Sequence, residues 1–211
     1  ILSFPYENGL SYGITSFMEG TAHTITAIFV AIFATADFSH GTMKNVVSKG
    51  FSKVYIFLSK LIVLIVANYI IVFVTFIAGT ICAWIVTGEF GSLSGDFGKY
   101  ILGTTGIELY LYIALIALML MVSMSIRNLG GAIAINVLGI LSFESTLFAL
   151  FEFMVDNKIK FSEFSLMYNT SFYRMMGASS SDYIRSLIVG AVFLVASVLL
   201  GIYIFKKSDV K

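Results

Sequence analysis

Charge is scarce in this sequence. Lys and Arg number 13 and Asp and Glu 12, together 12% of 211 residues, where a soluble domain carries about 25%. That excludes a water-facing globule of this length, because too few polar side chains remain to cover it. Proline occurs once, at Pro5, so long helices are not interrupted by it. Cysteine also occurs once: Cys82 cannot form an intrachain disulfide, and it has no companion for a metal site. It sits within an apolar run, where a small packing role is expected. The two histidines, His23 and His40, lack ligand spacing, and no signal-peptide pattern is visible. What is present is apolar: 58% of residues are hydrophobic, 15% are aromatic, and mean hydropathy is +0.95. The 18 glycines suit helices that pack closely in lipid.

A helix needs about 20 mostly apolar residues to cross the hydrocarbon core. Five stretches qualify, at about residues 17–36, 54–86, 100–126, 129–153 and 184–205. None alternates with the period of two expected of a membrane barrel strand. The expected fold is therefore all-α: one polytopic transmembrane domain over residues 1–211, a helical bundle.

The loops assign an orientation through their Lys and Arg. Lys44, Lys49, Lys53 and Lys60 flank the start of span two. Lys206, Lys207 and Lys211 follow span five, and Arg127 links spans three and four. These regions share a side and hold eight basic residues, against five opposite (Lys99, Lys158, Lys160, Arg174 and Arg185). The richer side, with the C-terminus, is expected to be cytoplasmic. Residues 1–16 would then lie outside. The charge pattern thus predicts a further span upstream of Ile1, giving a six-span parent with both ends inside.

The segment from Asp37 to Lys53 carries most of the functional signal. Met43, Val46, Val47, Gly50, Phe51 and Val54 follow the stripe of an amphipathic helix, predicted over about residues 41–52. Lys44, Asn45, Ser48, Lys49, Ser52 and Lys53 fall on the other face, and Asp37 or Ser39 is placed to cap its start. Such a helix can lie at the membrane interface, its apolar face against headgroups or protein. It either fixes topology only or docks on a cytosolic partner.

The run Gly41-Thr42-Met43-Lys44-Asn45-Val46-Val47, followed by Phe51-Ser52-Lys53 and Lys60, resembles the signature of type-2 ATP-binding-cassette exporter permeases. These show an acidic residue, Gly-Thr, a short amphipathic helix, and a basic residue leading into a helix with an early Lys. Asp37 or a nearby polar residue takes the acidic place. The C-terminal Gly201 to Lys211 segment is similar to the end of many small permeases of this kind. The subgroup indicated handles peptides: bacitracin and lantibiotic self-protection permeases and phenol-soluble modulin exporters. The resemblance implies a bacterial cell membrane protein whose helix at Gly41–Ser52 sits in a groove of a cytosolic ATPase subunit. Gly41, Thr42, Met43, Lys44, Val46, Val47 and Phe51 would make that contact, and Arg127 a second, smaller one. It further implies pairing with a second permease copy or homologue, a peptide substrate, and ATP and Mg on the partner ATPase. This chain itself is expected to bind no cofactor and no nucleic acid.

The chain has no phosphate-binding loop of its own. Its only Gly-Lys pair, Gly98-Lys99, is followed by Tyr100 rather than Ser or Thr. Hydrolase elbows, zinc-protease helices and Cys clusters are likewise missing from the sequence, so enzyme activity is not expected.

Charges within spans default to functional candidates. Glu144, in the outer half of span four, and Glu108, near the outer end of span three, either line a path for a cationic peptide or are packed acids paired with Lys or Arg of the outer loop. Glu19 and His23, four apart, form either a proton-sensitive pair or simple interfacial polarity. Asn68 is expected to bond another helix, and Lys60 to snorkel. The outer loop, residues 156–183, carries Phe161, Phe164, Leu166, Met167, Tyr168, Phe172 and Tyr173, and is expected to dip back into the interface.

Three functions follow from this reading. An ATP-driven peptide exporter subunit leads. An ion-coupled secondary transporter would use Glu144 or Glu108, but the internal repeats and broken helices usual in such folds are not evident in the sequence, apart from Gly130-Gly131 and Gly139, which could weaken span four. A non-transporting peptide-immunity protein is the third.

Overall fold

The computed structural model describes residues 8–18, 20–92, 95–155, 160–172 and 179–208. No strand occurs among the described residues. The helices are α1 Gly9–Met18, α2 Gly20–Ser39, α3 Thr42–Ser48, α4 Lys53–Thr87, α5 Gly95–Ile126, α6 Leu129–Ala134, α7 Glu144–Met154, α8 Leu166–Phe172 and α9 Ser180–Lys207. A π-helical stretch, Ile135–Phe143, joins α6 to α7 as one continuous rod, and a 3-10 turn, Phe161–Phe164, precedes α8.

Five helical segments are long and apolar enough to cross a membrane: Ala22–Ser39, Lys53–Thr87, Gly103–Ile126, Leu129–Met154 and Ser180–Lys207. The chain is an all-α membrane protein. Its outward faces are apolar, with Ile62, Val66, Ile70 and Phe73 exposed along α4 and Ile188, Val192, Val195 and Leu199 along α9. Faces of this extent suit lipid rather than water. Cys82 also lies exposed on α4, so it fills no gap within the chain.

Helices α2 and α5 form the centre. Along α2, Ala27, Val30, Ala31 and Ala34 are buried, and along α5 so are Leu111 to Ala117 except Ile113. The π turn has a visible anchor. Asn136, buried within it, donates to the Ala27 carbonyl at 3.3 Å and to the Ser123 hydroxyl at 3.0 Å. Asn68 on α4 accepts from the Thr26 hydroxyl at 2.5 Å. Polar contacts therefore tie α2 to its neighbours, where lipid gives no hydrophobic drive for helix association.

Span one differs from its sequence reading. The helix of span one runs to Ser39, three residues past the expected end at 36, and α1, Gly9–Met18, covers residues 17 and 18 of the expected span. α1 lies along α4. A Cβ on Gly13 would fall within 3 Å of the Thr80 side chain and the Phe76 carbonyl, so glycine is what lets the two backbones approach. The predicted helix at 41–52 is also shorter: α3 ends at Ser48, and Gly50, at φ +85°, turns the chain out of helix before Phe51. The apolar periodicity continues through this break because it resumes on α4. The cap differs too: Gly41 occupies the N-cap position with φ +68° and makes no side-chain cap, while Asp37 and Ser39 belong to α2.

Candidate functional site

Three regions assigned to one side by their basic residues do converge at one end of the bundle. Lys53, at the start of α4, donates to the carbonyls of Lys206 and Ser208 at 3.1 and 2.7 Å. The Arg127 guanidinium stands 5.3 Å from the Phe38 ring centre at the end of α2. Arg127 adopts φ +58°, which reverses the chain between α5 and α6 within two residues. Phe38 in turn meets Phe205 of α9 edge-on. Lys211 lies outside the described residues.

α3 sits on this end. Met43 is 2% exposed and joins the main apolar core, and Val46 and Val47 pack against that core. Lys44, Asn45 and Ser48 are exposed. The stripe seen in the sequence is thus directed into the chain's own bundle, and the polar face is the one offered outward. Phe51, past Gly50, is 59% exposed and lies beyond this helix.

A polar brace holds α3 between α2 and α4. Lys60 does not reach out to the interface; it is 7% exposed. Its ammonium lies 2.6 Å from an Asp37 carboxylate oxygen, donates to the Phe33 carbonyl at 3.1 Å, and stands 4.8 Å from the Phe33 ring centre. The other Asp37 oxygen accepts from the Thr42 hydroxyl at 3.0 Å. The acidic residue, the Gly-Thr pair and the early Lys of the sequence pattern therefore meet in space. Gly41 supplies the left-handed turn, Thr42 and Asp37 join α3 to α2, and Asp37 joins α2 to α4.

Glu144 lies at the junction of the π turn and α7. It accepts from the Ser165 hydroxyl at 2.5 Å, from the Leu166 N–H at 2.8 Å and from the Met167 N–H at 3.2 Å. Its partners do come from the loop expected over residues 156–183, but they are Ser165 and the first turn of α8 rather than Lys or Arg. α8 is itself set into the bundle: Leu166 is fully buried, and Asn169 accepts from the Ser186 hydroxyl of α9 at 2.7 Å. Arg185 binds Glu163 and Asp182, each at 3.0 Å. Tyr173 and Arg174 lie outside the described residues.

Glu108 is fully buried. One of its oxygens is 3.6 Å from the Nε2 of His23, also fully buried, and the Tyr112 hydroxyl is 3.2 Å from the His23 Nδ1. The His23 and Tyr112 rings stack with centres 4.5 Å apart. Glu19, the partner suggested by spacing, lies outside the described residues. The sequence reading missed the His23–Glu108 pair, whose only available signal was an ionisable residue in each of spans one and three. Among the described residues no group of His, Cys, Asp and Glu is arranged to hold a metal ion.

No curated protein and no solved structure matches the chain. A family model described as protein of unknown function (DUF2705) matches residues 4–211. Since the match takes in nearly the whole sequence, the chain belongs to the DUF2705 family.

Proposed function

We propose that this chain is the membrane subunit of an ATP-driven exporter in a bacterial cell membrane, with the α3 end cytoplasmic and a separate cytosolic ATPase docking on α3. The observation that carries the reading is the way α3 is mounted. Its apolar side is seated in the bundle through Met43, its polar side is exposed, and the Asp37–Thr42–Lys60 brace links it to both α2 and α4. A push on the exposed face reaches two spans through short, directional contacts, which is what a relay from a closing ATPase requires. ATP and Mg belong to the partner subunit, and two permease copies, or this chain and a homologue, enclose the path. Amphipathic toxin or antimicrobial peptides are the proposed cargo.

The docking surface is the exposed face, Lys44, Asn45 and Ser48, rather than the Met43–Val47 stripe. The test is affinity purification of the full chain from its native host, with partners identified by mass spectrometry and assayed for ATP hydrolysis. A co-purifying ATPase with a phosphate-binding loop, lost in a Lys44→Glu/Ser48→Glu variant that still melts like the parent, supports the reading. Retention of that ATPase by the variant, or its lack in the parent, refutes it.

A second reading is favoured by one specific observation, the buried His23–Glu108 pair. Ionisable groups at this depth are a usual element of proton-coupled transport. In that case transport would follow the proton gradient and proceed without ATP.

A further inference from the structure

We infer that the groove between α2, α3 and the first turns of α4 is a binding site for one anionic phospholipid. The cavity measures about 1040 Å³ and is lined by Val46, Gly50, Phe51, Tyr55, Ser59 and Val63, among others. From Ser52 to Val63 it follows α4 for roughly 16 Å at 1.5 Å per residue. Its walls are mostly apolar. The two charged groups on its floor, Asp37 and Lys60, neutralise one another at 2.6 Å.

Three features select the occupant. First, the groove is continuous with the bilayer-facing side of α4, where Ile62, Val63 and Val66 are 62%, 48% and 54% exposed. Its contents are therefore drawn from lipid. Second, Phe51 and Tyr55 stand at its mouth, 59% and 73% exposed, the placement aromatic side chains take at headgroup level. Third, a base stands next to the lining: Lys49 directly precedes Gly50 and is exposed. An acyl chain fits the apolar walls, and a phosphate beside Lys49 answers the charge. The inference stands on its own, independent of any ATPase docking on the polar face of α3.

The test titrates the full chain, purified in mild detergent, with dioleoylphosphatidylglycerol, with dioleoylphosphatidylcholine and with glycerol 3-phosphate, reading bound species by native mass spectrometry. One phosphatidylglycerol is expected to be retained at least tenfold more tightly than phosphatidylcholine, with no retention of glycerol 3-phosphate. Lys49→Glu should weaken phosphatidylglycerol about tenfold and leave phosphatidylcholine unchanged. Ser59→Trp, which fills the groove from an exposed position, should abolish the preference. Should that variant melt early, Val63→Trp fills the same space from the lipid side. Equal retention of the two lipids, an unchanged preference in Lys49→Glu and the filled variant, or glycerol 3-phosphate competing as well as the lipid would each overturn the inference.

Discussion

The Lys60 ammonium and the Asp37 carboxylate, 23 residues apart in sequence, meet at 2.6 Å between α4 and α2, with the lysine side chain 9% exposed and the aspartate side chain 40% exposed. The two are not equivalent. Asp37 can turn toward water if its partner is lost; Lys60 has much less access.

Removing the acid should therefore cost more than removing the base. Asp37→Ala is expected to destabilise the chain by about 2–3 kcal/mol, because it leaves a buried ammonium with only the Phe33 carbonyl and ring. Lys60→Met should cost about 1 kcal/mol, and the double variant should resemble Lys60→Met alone. Thermal melting followed by the fluorescence of Trp84 reads all three; equal losses in the single variants would show that burial of Lys60 does not govern the pair.

On α3 the expected contrast is between faces. Met43→Asp places a charge in the core at a position 2% exposed and should prevent stable folding. Lys44→Glu, on the exposed face, should shift the melting temperature by less than about 2 °C, since exposed substitutions lie within about 0.5 kcal/mol. A comparable loss in both would mean that α3 is not seated as described.

Much of this architecture was legible in the sequence because hydropathy acts locally. Spans two, four and five fall within a few residues of their helices, since a run of 20 or more apolar residues has few other options. The end of α3 was not legible. The apolar spacing from Met43 through Val54 is uninterrupted, and only the left-handed backbone at Gly50 shows that two helices share it. Partners across long separations were equally hidden. Spacing offered His23 a neighbour at Glu19, whereas the bundle sets it against Glu108, 85 residues on. Likewise the long loop expected over residues 156–183 hid an ordered α8, whose first turn is held by a carboxylate from another span.

The crossing of α4 and α9 depends on a missing side chain. A Cβ on Gly201 would lie 2.5 Å from the tip of the fully buried Phe57 ring. Gly201→Val should therefore cost about 2–3 kcal/mol through overpacking. Phe57→Leu, which removes the ring tip, should recover at least half of that loss in the double variant. Additive losses in a melting series would place the strain elsewhere.

Glu144 should act on α8 locally. Gln keeps one acceptor oxygen but loses the charge shared by the Ser165 hydroxyl and the Leu166 and Met167 N–H groups. Hydrogen exchange of the amides in Leu166–Phe172 is expected to accelerate about tenfold in Glu144→Gln, while α2 and α5 keep their protection. Uniform acceleration would indicate a global role instead. If the variant also abolishes transport with α8 protection unchanged, the carboxylate acts on cargo or ion rather than on the loop.

The His23–Glu108 contact calls for a measurement of coupling rather than of loss. Both side chains are fully buried, so removing either is costly for reasons unrelated to their contact, including the stacking of His23 on Tyr112. A double-mutant cycle of His23→Ala and Glu108→Ala cancels those separate costs. At 3.6 Å the two groups are beyond good hydrogen-bond distance but well within the range of strong charge interaction in a low-dielectric interior. The expected coupling is about 1–3 kcal/mol by melting or detergent denaturation. Repeating the cycle on a Tyr112→Phe background tests the third member. The Tyr112 hydroxyl, 3.2 Å from the His23 Nδ1, orients the ring, so its removal should lower the coupling by about half. A coupling below about 0.5 kcal/mol would show that His23 and Glu108 are neighbours without a shared charge, and would remove the observation on which the ion-coupled reading rests.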